Sequence, residues 1–364
     1  MMQFAHFAHV WGKARMTPGE RYAQLWRELQ LCDELGFDYG FSVEHHFSRD
    51  ESWMSSCNLY AVAAGARTKR IRLGGMGHVV PLHHPMRLVE EIALADQMLG
   101  GRVEVGLVPG VSPRFFPPFN ADFNAKREVT LEFVSFLRAA YAGEAPFSFE
   151  GRFHHAKDAA LSVLPVQRPH PPLWIETRDP PTLEFCAREG ISTGYFITYP
   201  REDARPRYAD YLVKWKAAGW KTRPRIGYST VVYVDETDGR ALDKALKDAS
   251  QAYRGFFGNP QTPAALKQAQ DEGARRHEEK GDFKGGEIMR HLLDPEYLLA
   301  NELIILGSPD TVAAKLRRLA TDGHFNVFMG EFNFGNLAEA DLMRSIRLFG
   351  EQVIPALRDF EPFD

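Results

Sequence analysis

Glu44, His45 and His46 stand side by side in the run Phe41-Ser42-Val43-Glu44-His45-His46-Phe47. A carboxylate and two imidazoles together can hold or move a proton near neutral pH. They follow the apolar stretch Phe37–Val43, which reads as a short buried strand, so they stand where that strand ends. Adjacent side chains on an extended chain point to opposite faces. At most one of the two imidazoles is therefore expected to face a site, and the other to pack or hydrogen-bond. Histidine pairs also occur at His83-His84 and His154-His155, which raises the question of a metal. No HExxH or clustered Cys/His run occurs, and His6 and His9 do not form an HxH, so no metal is expected.

The elements that must position these residues recur along the chain. Phe4–Val10, Phe37–Val43, Ile71–Met76, Val103–Val108, Pro172–Glu176, Thr193–Ile197, Arg225–Val234 and Asn326–Met329 read as strands. Helical stretches separate them. Thr17-Pro18-Gly19-Glu20 predicts a helix start, with threonine at the cap, proline first and glutamate third. Leu25, Trp26, Leu29, Leu31, Cys32 and Leu35 give that helix an apolar face, and Gly36 ends it. Ser308-Pro309-Asp310 reads as a helix cap in preference to a phosphate site. The last helix is expected over Leu337–Leu357. Eight strands alternating with helices predict an α/β fold, a parallel sheet closed as a (β/α)8 TIM barrel, in a single domain over residues 1–364. Residues 256–300, charged and dotted with glycine from Asn259 to Ala300, read as a partly helical insertion or lid before the last βα units.

In a parallel barrel the loops after the strands share one face and carry the site. That gathers Glu44-His45-His46, Met76-Gly77-His78, Pro109-Gly110, Glu176-Thr177-Arg178, Tyr195, Tyr199 and Glu331-Phe332-Asn333. Such a mouth is polar, aromatic and glycine-rich, and suits a planar ligand with a charged tail. Arg127, early in the helix after the fourth strand, reads as a solvated charge unless it points to the mouth. There its planar fork would pair with a phosphate. No GxGxxG follows a strand, so no Rossmann nucleotide site is expected.

Composition excludes other classes. The chain carries 44 Lys+Arg against 48 Asp+Glu, a net charge of -4, with no broad basic field for nucleic acid. No run of 18 apolar residues suggests a membrane span. The first residues lack a basic segment followed by an apolar one, so no signal peptide is expected. Cys32, Cys57 and Cys186 are scattered and odd in number, and read as reduced thiols of a cytoplasmic protein.

Several segments, taken in order, carry a resemblance. They are Glu44-His45-His46-Phe47, Val80–Pro85 with Asp96–Val103, Pro169–Glu176, Gly307-Ser308-Pro309 and Met343–Leu357. Together they resemble the bacterial luciferase-like flavin-dependent monooxygenases, most closely the luciferase α-subunit branch. The resemblance implies a two-component enzyme using FMN, supplied as FMNH2 by a separate flavin reductase, with O2 as co-substrate. A C4a-peroxyflavin would then oxygenate a small organic substrate, carbonyl or apolar. His45 matches the family's catalytic acid or base. Met76-Gly77 falls where the family carries a non-proline cis peptide beside the flavin. Arg127 matches a phosphate-binding arginine, and Glu176 and Thr177 match a Glu-Ser pair at the FMN phosphate. Where luciferase has Arg-Gly after the fourth strand this chain has Pro109-Gly110, so Arg178 or Arg114 is expected to replace the missing contact. That departure keeps an F420-dependent oxidoreductase of the same fold as an alternative. A non-catalytic flavin-binding or partner subunit is another, against which His45 argues. Phe115, Tyr195 and Tyr199 are expected to line the substrate pocket, and a homodimer is expected from the resemblance.

Overall fold

The computed structural model describes residues 1–13, 16–47, 51–196, 201–257, 260–279 and 281–363. Each expected strand is present: β1 (Gln3–Ala8), β2 (Tyr39–Ser42), β3 (Arg72–Val79), β4 (Val103–Val108), β5 (Leu173–Glu176), β6 (Ser192–Phe196), β7 (Ile226–Val234) and β8 (Val327–Glu331). They follow the order β7-β8-β1-β2-β3-β4-β5-β6, and β6 pairs back with β7. The protein is an eight-stranded parallel (β/α)8 barrel. A further strand, Ile305–Gly307, was not expected from the sequence and pairs in parallel with Val232–Val234. The buried run Leu303-Ile304-Ile305-Leu306 was the available signal.

Two compact units make up the chain. The first comprises Met1–Gly40, Ser48–Trp53 and Thr177–Asp364. Its helix Pro18–Glu34 begins as expected: Thr17 Oγ1 accepts from the Glu20 N–H (3.3 Å), and the Glu20 carboxylate accepts from the Thr17 N–H (2.7 Å). The stretch read as an insertion carries the helices Pro263–Glu278, Phe283–His291 and Pro295–Ala300, capped by Thr262, Asp282 and Asp294. Ile288, Leu292 and Leu298 pack with Ala245, Ala249 and Tyr253 into one apolar cluster. The last helix is not continuous over Leu337–Leu357. It runs Glu339–Leu348, widens to a π turn at Phe349–Val353, and resumes at Ile354–Leu357. Pro355 has no N–H for the carbonyl four residues earlier and its ring crowds that turn, which is where the helix widens.

The second unit comprises Phe41–Phe47 and Met54–Glu176. Its strands β3 and β4 approach closely, with a register shift between Gly75 and His78. A Cβ on Gly77 would stand 2.3 Å from the Gly106 backbone, and one on Gly75 would stand 1.9 Å from Cys57 Sγ. Side chains are excluded at both positions, so these glycines set the spacing of the strand ends that follow.

Candidate active site

In the second unit β2 ends at Ser42, so strict alternation no longer governs Glu44, His45 and His46. The His45 N–H donates to the Met54 carbonyl at 2.9 Å. The His45 ring is half-buried, with the buried Phe115 ring 5.8 Å away. His46 donates from Nε2 to Glu44 Oε1 at 3.0 Å and packs against Phe115 (5.7 Å) and Phe119 (5.0 Å). The two imidazoles differ in their polar partners while sharing Phe115 as a neighbour. His46 is bonded to the acid, and His45 lies under an aromatic wall.

Glu44 is 3% exposed. Its carboxylate accepts from His46, from His83 Nε2 (2.9 and 3.0 Å) and from the Val79 N–H (3.4 Å), with His78 Nδ1 3.9 Å away. Burial alone would raise its pKa. The bonds from His46 and His83 and the charges of His83 and His78 outweigh that and hold it at about 2. Burial lowers His83, but its bond to Glu44 outweighs burial and the net shift is upward. His78 lacks such a bond, so burial dominates and lowers it to about 4.

The peptide Met76-Gly77 is cis, where the resemblance placed such a bond, and Met76 is buried. Gly110 has φ +84°, and a Cβ there would meet Val79 Cγ1 at 2.7 Å, so the Pro109-Gly110 turn requires glycine. Lys126 Nζ donates to the Gly110 carbonyl at 2.7 Å and lies 3.8 Å from the Phe123 ring centroid. Sequence reasoning singled out Arg127 and passed over Lys126, although the two adjacent cations at a helix start were the visible signal. Helix Lys126–Tyr141 has Ala125 as its cap residue and no side-chain capping bond. Its first N–H groups, with Lys126 and the half-buried Arg127, are the donor chemistry that a phosphate requires. Glu176, half-buried, closes β5.

In the first unit Thr177 N–H donates to the Gly194 carbonyl (3.1 Å), and its Oγ1 accepts from the Asp179 N–H (3.1 Å). Arg178 pairs with Asp282 at 3.3 Å, and Asp282 also accepts from His277 Nδ1 at 2.7 Å. The guanidinium is therefore engaged by the cap residue of helix Phe283–His291. Tyr195, expected at the substrate pocket, is instead a core residue. Its hydroxyl donates to the Gly323 carbonyl (2.7 Å), and its ring stacks on Tyr208 (5.0 Å), because alternation along β6 points it away from the face that Phe196 takes. Phe196 lies 6.0 Å from His9 and 5.6 Å from Phe256. Tyr199 lies outside the described residues. Sequence reasoning also missed the buried pair of His9 Nδ1 and Glu331 Oε2 (2.8 Å), with His9 stacked on Trp11 at 4.5 Å. The ends of β1 and β8 supply these residues, and strand pairing sets them together.

The profile described as luciferase-like monooxygenase matches residues 2–324. The chain is 25% identical over 359 residues to an alkanal monooxygenase alpha chain of Photobacterium leiognathi, covering 94% of this chain and 96% of that one. It is 26% identical over 199 residues to the oxygenase component of a flavin-dependent trigonelline monooxygenase of Acinetobacter baylyi, 52% of this chain and 53% of that one. In matches of that shorter kind the chain spans about half the relative's length. Among solved structures, the monooxygenase RslO1 of Streptomyces bottropensis superposes with a TM-score of 0.79 at 25% identity, over 97% of this chain and 99% of that one. The chain belongs to the luciferase-like monooxygenase family. It is an oxidoreductase of that family. Among the described residues no helix is long and apolar enough to cross a membrane.

Proposed function

We propose that this chain is the oxygenase component of a two-component system, which takes FMNH2 from a separate flavin reductase and uses O2 to oxygenate a small organic substrate. The observation that carries this reading is His45, fixed through its N–H and half-buried against Phe115 directly beyond β2. When bound, the reduced flavin supplies the electrons that activate O2. His45 acts as the acid or base at the reacting oxygen. Phe115 and Phe119 keep water from the imidazole pair. Arg127, Lys126 and the helix start at Ala125 would hold the phosphate, with Glu176 in the role the family resemblance implies. The trigonelline relative, named as an oxygenase component, supports the two-component arrangement. The reading extends to a cytoplasmic homodimer, supported by the resemblance and by three buried cysteines that form no disulfide.

The test is anaerobic binding of FMNH2 followed by mixing with oxygenated buffer in a stopped-flow instrument. The expected result is flavin reoxidation delayed well beyond that of free flavin. Reoxidation at the free-flavin rate, with no binding beforehand, would remove the FMN oxygenase reading and make F420 reduction the next assay.

A further inference from the structure

We propose that Glu44, His78 and His83 form a binding site for a divalent transition-metal ion, zinc foremost. One carboxylate oxygen and one ring nitrogen from each histidine lie within 4.8 Å of one another. Glu44 Oε2 is 3.0 Å from His83 Nε2 and 3.9 Å from His78 Nδ1. Metal bonds of 2.0–2.1 Å in a tetrahedral shell separate ligand atoms by roughly 3.3 Å, so small rotations of three side chains complete the triangle. Two imidazoles and a carboxylate are a donor set that zinc accepts, with a fourth position left open.

The second observation is independent of the clustering. His78 is 2% exposed, and its Nδ1 finds no hydrogen-bond partner among the described residues. Buried ring nitrogens are ordinarily satisfied, and one left orphaned away from water is unfavourable. This nitrogen faces a buried carboxylate at a distance too long for a hydrogen bond. A cation between them satisfies both. His46 Nε2, 3.0 Å from Glu44 Oε1, then orients the carboxylate from behind, as outer partners of metal ligands do. His83, with a quarter of its side chain exposed, is the entry side. The ligands come from the ends of β2 and β3 and the short turn Val80–Leu82 that follows β3. A bound ion would clamp the loop that carries His45. This site was not expected from the sequence, whose histidine spacings match no metal motif.

The competing arrangement is a Glu44 carboxylate paired with a protonated His83 and no ion. The two are separated by titrating chelator-treated, dialysed wild-type protein with zinc chloride and measuring retained zinc by elemental analysis. Cobalt substitution adds a visible spectrum that reports the ligand shell. The expected result is a single equivalent of zinc, removed by chelator. His78→Ala and His83→Ala would weaken it by more than about a hundredfold, and His84→Ala, at an exposed neighbour, would leave it unchanged. Wild-type protein that retains no zinc and shows no binding on titration overturns the proposal. So does zinc binding that persists in both ligand variants. Neither readout depends on flavin or turnover, so failure here is distinct from failure of the oxygenase reading.

Discussion

Two buried carboxylates, one in each unit, are built from similar parts and behave differently. Glu28, in the first unit, accepts from His6 Nε2 (3.0 Å), Arg21 Nη1 (3.2 Å) and Asn333 Nδ2 (2.5 Å), and Glu28, Arg21 and His6 are all fully buried. Burial would raise the Glu28 pKa, but Arg21, His6 and Asn333 outweigh it and hold the group below its ordinary value. Glu44, in the second unit, has imidazoles as its side-chain partners. A guanidinium keeps its proton at any working pH, so Arg21 gives the Glu28 network a permanent cation that the Glu44 network lacks. His83, raised by its bond to Glu44 and reaching solvent, is the partner through which the Glu44 network can change its charge or exchange it for a cation. The carboxylate is common to both, and the partners decide whether it serves structure or chemistry.

The strongest way to sharpen this contrast is His45→Ala. Turnover with supplied reduced flavin should fall by about a hundredfold or more, while flavin affinity stays within a few-fold. Next is Glu28→Gln, which leaves Arg21 buried without a counter-charge. Urea unfolding should show a loss of about 3–5 kcal/mol. Glu44→Gln should be milder, about 1–2 kcal/mol, because His83 can release its proton instead of remaining an unpaired cation. Equal losses for the two Gln variants would break the comparison.

A pH-dependent effect is expected at Lys13, also in the first unit. Burial, followed by the Arg21 charge, lowers its pKa from 10.5 to about 8. The unfolded chain keeps that proton up to about 10.5, so the stability tied to this group is present above 10.5 and lost as pH falls through 8. Lys13→Met should therefore be more stable than the parent at pH 8, with the gap closing toward pH 10.5, as followed by unfolding midpoints. The smallest effect belongs to Arg178→Ala. Its partly exposed pair with Asp282 should be worth less than about 1 kcal/mol, and flavin binding should change less than in Arg127→Ala.

Much of this protein was determined by its sequence alone. Strand and helix periodicity placed eight strands, and β-branched runs such as Ile226–Val234 needed no tertiary information. The Thr17–Glu20 capping box is local chemistry and formed as read. Glu44-His45-His46 was recognisable because a strand must end where its apolar run ends. Tertiary structure decided the rest. Tyr195 faces the core because the register of β6, not its residue type, sets its direction. Lys126 meets Gly110 across 16 residues of chain, and no local pattern encodes that contact. Glu44, His78 and His83 have no motif spacing, since their proximity comes from pairing and register shifts near β3. Sequence records which groups can act and where each strand stops. Which groups share a carboxylate depends on neighbouring strand ends, and only the folded chain sets that.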